Sequence, residues 1–350
     1  MSQSPTTMKI PIAVNNFRRN LMQTLTRNVG RDTVAAWPVE KPIKRILVCR
    51  PNHRLGNQLL LTPLIDDIAA TFPAAKVDLF VKGGLSNAIF TNFNTVDTII
   101  GLPKKPFSHL FRYFGCWLRL RFRRYDIAIN VDPKSSSGKL STKFSRARVK
   151  FYGQPAFVQY PDGRHIAKLP VYNFRNLVTR MGIEIPHREI APLDLKLSDA
   201  ERQHGKDLLD AMFSNDKKTI CVFTYATGRK CYCEGWWGKF YEQLKARYVD
   251  YNILEILPAE NVSQIGFKAK TFYSNDIREI ASVIASTQAF VGADSGIMHL
   301  ASASHTPTLG LFSVTDLGKY EPFNKGSIGL DTRNTHPREW FVMLNRMLAA

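Results

Sequence analysis

F-V-G-A-D-S-G-I-M-H-L-A-S-A-S-H-T-P-T-L-G-L-F, Phe290 to Phe312, decides the fold. An apolar strand ends at Gly292, the turn Asp294-Ser295-Gly296 opens a helix over Met298 to Ala303, and Thr308 to Phe312 forms the next apolar strand. Strand, helix and strand on this scale imply a parallel sheet with helices packed on its faces. In such open sheets ligands bind beyond the carboxyl ends of the strands. There a helix start offers unpaired N–H groups and a partial positive charge. The turn therefore suits a pyrophosphate: Ser295 adds a hydroxyl, Gly296 admits a close backbone approach, and His299, one turn on, points back to the same place. A simpler reading makes Asp294 and Ser295 helix caps and His299 a satisfied core histidine.

Working outward, the same alternation fills both halves of the chain. After Pro186 and Pro192 come a helix near Asp199 to Phe213, a strand Thr219 to Thr224, a helix Trp237 to Tyr248, a strand Asn252 to Leu257 and a helix Ile277 to Ser286. Toward the N-terminus, Ile43 to Cys49 is an apolar run followed by a loop, Arg50 to Gly56, and then by Leu59, Leu60, Leu64, Ile65 and Ile68 at helical spacing. Val77 to Val81, Thr98 to Ile100 and Asp126 to Val131 are further strands, with a helix from about Phe107 to Arg124. The expected organisation is a basic extension over 1–40, one α/β domain over 41–186, a second over 187–333, and a terminal helix over 334–350 that crosses back onto the first domain. Within the extension, Phe17, Leu21 and Leu25 recur with Arg18, Arg19, Arg27 and Arg31 among them. That is the pattern of a short basic amphipathic helix, lying on a membrane or packed on the first domain.

At 350 residues the chain is long enough for two cores and the cleft between them. No stretch approaches the apolar length of a membrane span, and the polar start lacks a signal-peptide core, so a cytoplasmic location is expected. Five cysteines (Cys49, Cys116, Cys221, Cys231 and Cys233) contain no C-x-x-C pair and are expected as free thiols, with no metal site. A net charge of +19 draws phosphates, nucleic acid or an anionic leaflet. Thirteen Lys or Arg lie between Lys104 and Lys150 against Asp126 and Asp132 alone. With Phe111, Tyr113, Trp117 and Phe122 interleaved, that stretch would also suit a nucleic-acid module. No RNP, KH or zinc-finger pattern accompanies it, however, so nucleic acid is not the expected partner.

The D-S-G-x-x-H-L-A run, its Thr-Pro and strand, and Thr315-Asp316 after it resemble the ADP-heptose:lipopolysaccharide heptosyltransferase family. So do R-I-L-V-C-R, L-G-N-Q-L-L-L-T-P-L-I and F-P-A-A-K-V-D near the other end, and the similarity covers most of residues 44–320. The resemblance implies a GT-B fold, α/β with two facing Rossmann-like domains and a central cleft. It implies an acceptor on the N-terminal domain, a nucleotide-activated heptose on the C-terminal one, and inversion without a metal or any cofactor beyond the ADP-heptose co-substrate. Carried over by position, Asp294, Ser295, Gly296 and His299 hold the donor. Thr224, Arg229 and Lys230 neutralise the departing diphosphate, and Glu260 reaches the donor's ribose.

Two departures qualify that expectation. Where the family places a Gly-Asp pair, with the Asp as general base, this chain has Gly56-Asn57, and an amide accepts no proton at neutral pH. His53 in the same loop is the nearest substitute; Asp132 is a weaker choice, and Asp66 and Asp67 lie too far along the helix. After Thr224, Glu234-Gly235-Trp236 stands where the family has a Lys before a Trp, which leaves the nucleotide open to UDP or GDP. The resulting expectation is an inverting glycosyltransferase, peripheral to the inner face of the inner membrane. Arg50, Arg54, Arg119, Arg121, Arg123 and Arg124 would face a phosphorylated glycolipid acceptor and an anionic membrane surface. The alternative within the same fold binds a nucleotide sugar without transferring it.

Overall fold

The structure is a computed structural model, and it describes residues 20, 21, 24, 26–34, 36–38, 41–104, 108–153, 160 and 162–349. The first sheet comprises β1 (Arg45–Arg50), β2 (Lys76–Lys82), β3 (Val96–Leu102), β4 (Arg124–Asn130) and β5 (Arg146–Phe151), all parallel in the order β3-β2-β1-β4-β5. Between the strands run α1 (Leu55–Leu59), α2 (Thr62–Thr71), α3 (Leu85–Ile89), α4 (Leu110–Phe122) and α5 (Ser136–Phe144), and α6 (Lys168–Arg180) follows β5. β1 buries every residue after Arg45, as a central strand covered on both faces must.

The second sheet comprises β6 (Thr219–Phe223), β7 (Asn252–Ile256), β8 (Lys270–Phe272), β9 (Ala289–Ala293), β10 (Thr308–Phe312) and β11 (Ile328–Asp331), parallel in the order β11-β10-β9-β6-β7-β8. Its helices are α7 (Asp199–Phe213), α8 (Glu234–Arg247), α9 (Ile277–Ala285), α10 (Gly296–Ala303), α11 (Leu317–Tyr320) and α12 (Pro337–Ala349). In both sheets the strand order reverses beside the first strand, between β1 and β4 and between β6 and β9. These are the points where an α/β sheet opens a ligand crevice. α7 lies so close to α9 that a methyl on Gly205 would fall 2.2 Å from the Ser282 carbonyl carbon.

The domains are joined by hydrogen bonds as well as by the chain. Leu195 N donates to Ala303 O (2.8 Å), Leu193 N to Phe323 O (3.0 Å) and Asp194 N to Thr62 Oγ1 (3.2 Å), so the 187–198 connection lies between the two bodies. The Arg278 guanidinium at the start of α9 donates to Ala88 O of the first domain (2.8 Å) and pairs with Glu201.

The terminal helix corrects the expectation that it crosses back. Trp340, Phe341, Leu344 and Met347 of α12 are buried with Trp237, Phe240, Tyr241 and Leu244 of α8, within the core of the second domain. Phe341 stacks on Phe240 at 5.4 Å, and Tyr248 Oη donates to Asn345 Oδ1 at 2.7 Å. The aromatic face of α8 is the apolar surface that this helix needs. At the other end, Phe17, Arg18, Arg19 and Leu25 lie outside the described residues; Leu21, Arg27 and Arg31 are exposed. Thr33 forms an antiparallel bridge with Lys150, and Trp37 N donates to Met181 O (2.9 Å), which lays this part of the extension on the first domain.

Candidate active site

β9 ends at Ala293, and Asp294 and Ser295 form the turn into α10. Ser295 Oγ accepts from Met298 N at 3.2 Å and caps the helix. Asp294 is buried, and its Oδ2 accepts from Thr315 Oγ1 (2.6 Å) and from the Lys230 ammonium (3.1 Å). Lys230 closes the short 3₁₀ turn Gly228–Lys230 after β6. A cation, a carboxylate and a helix start thus meet at the reversal point of the second sheet, an arrangement suited to a diphosphate.

His299, one turn into α10, is wholly enclosed, and no group among the described residues lies within hydrogen-bonding distance of its Nδ1. A buried nitrogen left unpaired costs about 1–3 kcal/mol, which a ligand reaching it would relieve. Burial, reinforced by His165 and Lys230 and opposed by Asp294, pushes its pKa down to about 4. At neutral pH His299 is therefore an uncharged hydrogen-bonding group. An unfolded chain binds a proton on this side chain below its ordinary value of 6.5, whereas the folded chain resists until about 4, so stability falls as pH drops through that window. The expected loss between pH 7 and pH 5 is about 2 kcal/mol. His299→Gln should remove most of that slope in urea titrations at the two pH values; an unchanged slope would assign the acid sensitivity to other groups.

The first domain's crevice faces this turn. β1 ends at Arg50, whose buried guanidinium donates to Asp132 Oδ2 beyond β4 (2.5 Å) and to Asn57 Oδ1 in α1 (3.3 Å). The loop before α1 is pinned by Gln58, which donates to Asn52 O (2.9 Å) and Lys82 O (3.1 Å) and accepts from Ser86 (2.8 Å). Gly56 makes the contact between domains: a methyl there would lie 2.8 Å from His299 Cδ2, and one on Gly296 would lie 3.1 Å from Leu55 Cβ. Two glycines on opposing helices let the crevices meet.

The structure thus brings together Lys230, Asp294, Ser295, Gly296 and His299, with Asn57 opposite. Other expected residues lie elsewhere or do other work. Thr224 is buried, and its hydroxyl donates to Glu255 Oε1 (2.6 Å) and accepts from Gln264 N (3.1 Å), which makes it a support of the sheet's end. Arg229 and Glu260 are exposed. His53 is exposed, and burial on one side together with Lys82, Lys104 and Arg54 lowers its pKa. Two members of the basic set are engaged by carboxylates of the first domain. Arg50 is buried inside the crevice, and Arg123 is engaged within its own domain with Asp78 (2.8 Å) and Thr98 (2.8 Å). Arg54, Arg119, Arg121 and Arg124 are exposed.

Sequence reasoning gave no role to Thr315, visible only as a motif ending, or to Glu255, a buried carboxylate near the end of β7. All five cysteines are free thiols. No group of three or more His, Cys, Asp or Glu among the described residues is arranged to hold a metal ion.

Comparison with known proteins agrees with this architecture. Lipopolysaccharide heptosyltransferase 3 of Escherichia coli is 21% identical over 293 residues, covering 78% of this chain and 85% of that protein. A solved glycosyl transferase family 9 structure from Veillonella parvula superposes with a TM-score of 0.70 at 15% identity, covering 89% of this chain and 99% of that one. E. coli heptosyltransferase WaaC with ADP superposes with a TM-score of 0.63 at 16% identity, covering 87% and 99%. At these identities the structural likeness establishes the fold, two parallel α/β domains in GT-B arrangement. The family model for glycosyltransferase family 9 (heptosyltransferase) matches residues 115–348, more than half of the sequence, and the chain belongs to that family.

Proposed function

We propose that this glycosyltransferase moves a heptosyl group from ADP-heptose to a phosphorylated sugar of a lipopolysaccharide core or similar glycolipid, at the cytoplasmic face of the membrane, with inversion and without a metal. The observation that carries this reading is the meeting of α10, with its Lys230–Asp294 pair, and the Arg50–Asn57–Asp132 crevice across Gly56 and Gly296. The donor's diphosphate lies at the start of α10 with Lys230 beside it, and His299 hydrogen-bonds the donor. The acceptor hydroxyl attacks the anomeric carbon as the bond to the diphosphate breaks, and ADP leaves with the negative charge that Lys230 and the helix start stabilise. The names of relatives support the sugar and acceptor: E. coli structures include heptosyltransferase WaaC with ADP-2-deoxy-2-fluoro heptose, and the E. coli relative is a lipopolysaccharide heptosyltransferase.

We assign the acceptor's proton to Asp132. It is the carboxylate at the reversal point of the first sheet, it is partly open to solvent, and it shares Arg50 with Asn57, the residue at the family's base position. His53 is crowded by three cations, which weakens it as a proton acceptor. Asp67 is committed to Arg175 and Arg188, and Asp66 to Lys196. Asp132→Asn, which keeps an acceptor for Arg50, should lower kcat by about 10²–10³-fold. Adding Asn57→Asp should restore much of it by returning a carboxylate to the same guanidinium. Retained activity in Asp132→Asn, with loss in His53→Gln, would hand the role to His53.

The donor assignment is tested by thermal stabilisation with ADP, UDP, GDP and CMP, repeated on Asp294→Ala. Stabilisation by ADP alone, lost in the variant, supports the reading. A preference for UDP or GDP changes the donor, and no stabilisation by any of them overturns it.

A further inference from the structure

α4 carries two apolar faces, and only one of them is used. Cys116 and Leu120 are buried against the sheet, and Trp117 packs edge-on to Phe80 at 5.4 Å. On the opposite side Phe111, Phe114, Leu118 and Phe122 fall at spacings of three, four and four residues, one continuous stripe of a helix. Phe111 is 96% exposed and Phe122 79%, with Phe114 and Leu118 exposed between them. Four large apolar side chains in a row on one outward face form the kind of contiguous patch that marks an interaction surface.

The borders of that stripe are cationic. At helical spacing Arg112 and Arg119 run along one side and Arg121 along the other, and all three are exposed. Exposed Phe144 extends the apolar area through Trp117 (6.0 Å), and exposed Lys143 precedes it. Lys150 lies close by, since its ammonium donates to Lys143 O at 2.7 Å. Its pKa is lowered by burial and then by the charges of Arg121 and Lys143, so these cations crowd one another. The nearby carboxylates do not neutralise them: Asp78 and Asp97 are held by Arg45 and Arg123, and Asp126 accepts from the backbone of Lys44 and Arg45.

An apolar face flanked by arginines complements the acyl boundary and anionic headgroups of a bilayer together, and nucleic acid or an acidic protein would leave the phenylalanine stripe wet. No described helix is long and apolar enough to cross a membrane. We infer that α4 is a monotopic anchor: Phe111, Phe114, Leu118 and Phe122 enter the interface of an anionic bilayer, and Arg112, Arg119 and Arg121 lie at the headgroups. Placement supports the same role. A helix that follows a parallel strand starts at that strand's carboxyl end, so Phe111 lies toward the edge of the sheet where the Arg50–Asp132 crevice opens. An anchored α4 would present the crevice to an acceptor that stays in the membrane. The functional part of this inference rests on the glycolipid acceptor proposed above; the anchoring itself does not.

The test is sedimentation of the full-length chain with vesicles of phosphatidylethanolamine and phosphatidylglycerol, and with vesicles of phosphatidylcholine alone. Wild type should bind the anionic vesicles at least tenfold more tightly than the neutral ones. Phe111→Ser with Phe122→Ser should weaken anionic binding by about tenfold or more, as expected for losing buried aromatic area, with circular dichroism and melting temperature unchanged. In a separate variant, Phe111→Trp should give a blue-shifted emission that brominated lipids quench. Undiminished binding by the serine variant, or an indole left unquenched, would overturn insertion. A wild-type dimer that the serine substitutions dissolve would overturn it too, by giving the stripe to a second copy. None of these readouts involves transfer, so a failed anchor and a failed transferase assignment are told apart.

Discussion

Lys230→Ala should lower kcat by about 10²–10³-fold, while Arg229→Ala, one residue earlier, changes it by less than about threefold. Both residues stand in the turn after β6, and composition does not distinguish them. The structure does: the Lys230 ammonium lies 3.1 Å from Asp294 Oδ2 at the mouth of α10, and Arg229 is exposed. A charge already fixed where a diphosphate departs needs no reorganisation during the reaction, and removing one such group typically costs about 10²–10³ in rate. Lys230→Arg should recover part of the loss, since it keeps the charge in a bulkier fork. Initial rates with saturating ADP-heptose decide the matter. Near-normal turnover in Lys230→Ala alongside collapse in Arg229→Ala would reverse the assignment.

Gly56→Val should cost at least about 10²-fold in kcat and leave the affinity for ADP nearly unchanged. The β-carbon of the new side chain would lie 2.8 Å from Cδ2 of the buried His299 ring. The relief available is for the two domains to part. A misplacement of about an ångström between reacting groups is enough for a loss of this size. Because Lys230, Asp294 and α10 all belong to the second domain, nucleotide binding survives the separation. Calorimetry with ADP beside steady-state rates separates the two effects, and Gly56→Ala should fall between valine and wild type. A matching loss of ADP affinity would instead point to damage within the donor site itself.

The sequence revealed the central strands and hid three of the four edges. β1, β6, β9 and β10 are apolar runs because both of their faces are covered, so they stood out. β5, β8 and β11 were not foreseen, for the same physical reason in reverse. β5 is the edge of its sheet and reads R-A-R-V-K-F with its charges outward, and β8 and β11 are short, partly exposed edges. The Asp294–Gly296 turn is legible as a candidate ligand site because a glycine-containing strand-to-helix turn combines sheet geometry with local chemistry. Residues that act through long-range pairing were not. Nothing local to Arg50 says that its guanidinium turns inward to Asp132, 82 positions away, and nothing near Arg123 announces the buried Asp78 that holds it. Charge counts along a segment describe how much basic character is present; which of it faces outward is decided by partners elsewhere in the fold.

The terminal helix stays with its own sheet, and every strand of the first sheet precedes every strand of the second. Among the described residues the covalent chain therefore passes between the two bodies once, through the stretch after Met181, and none of them returns to tie the bodies a second time. Each half is topologically complete. A gene split between Arg180 and Asp199 would yield two polypeptides that each carry a whole sheet, and their reassociation would rest on contacts such as those of Arg278, Gly56 and Gly296, with Ile166 N donating to Lys319 O (3.1 Å) and His165 Nε2 beside Glu321 O (2.9 Å). Complementation between such fragments would measure directly the strength of a junction that in the intact chain is hidden by its tether.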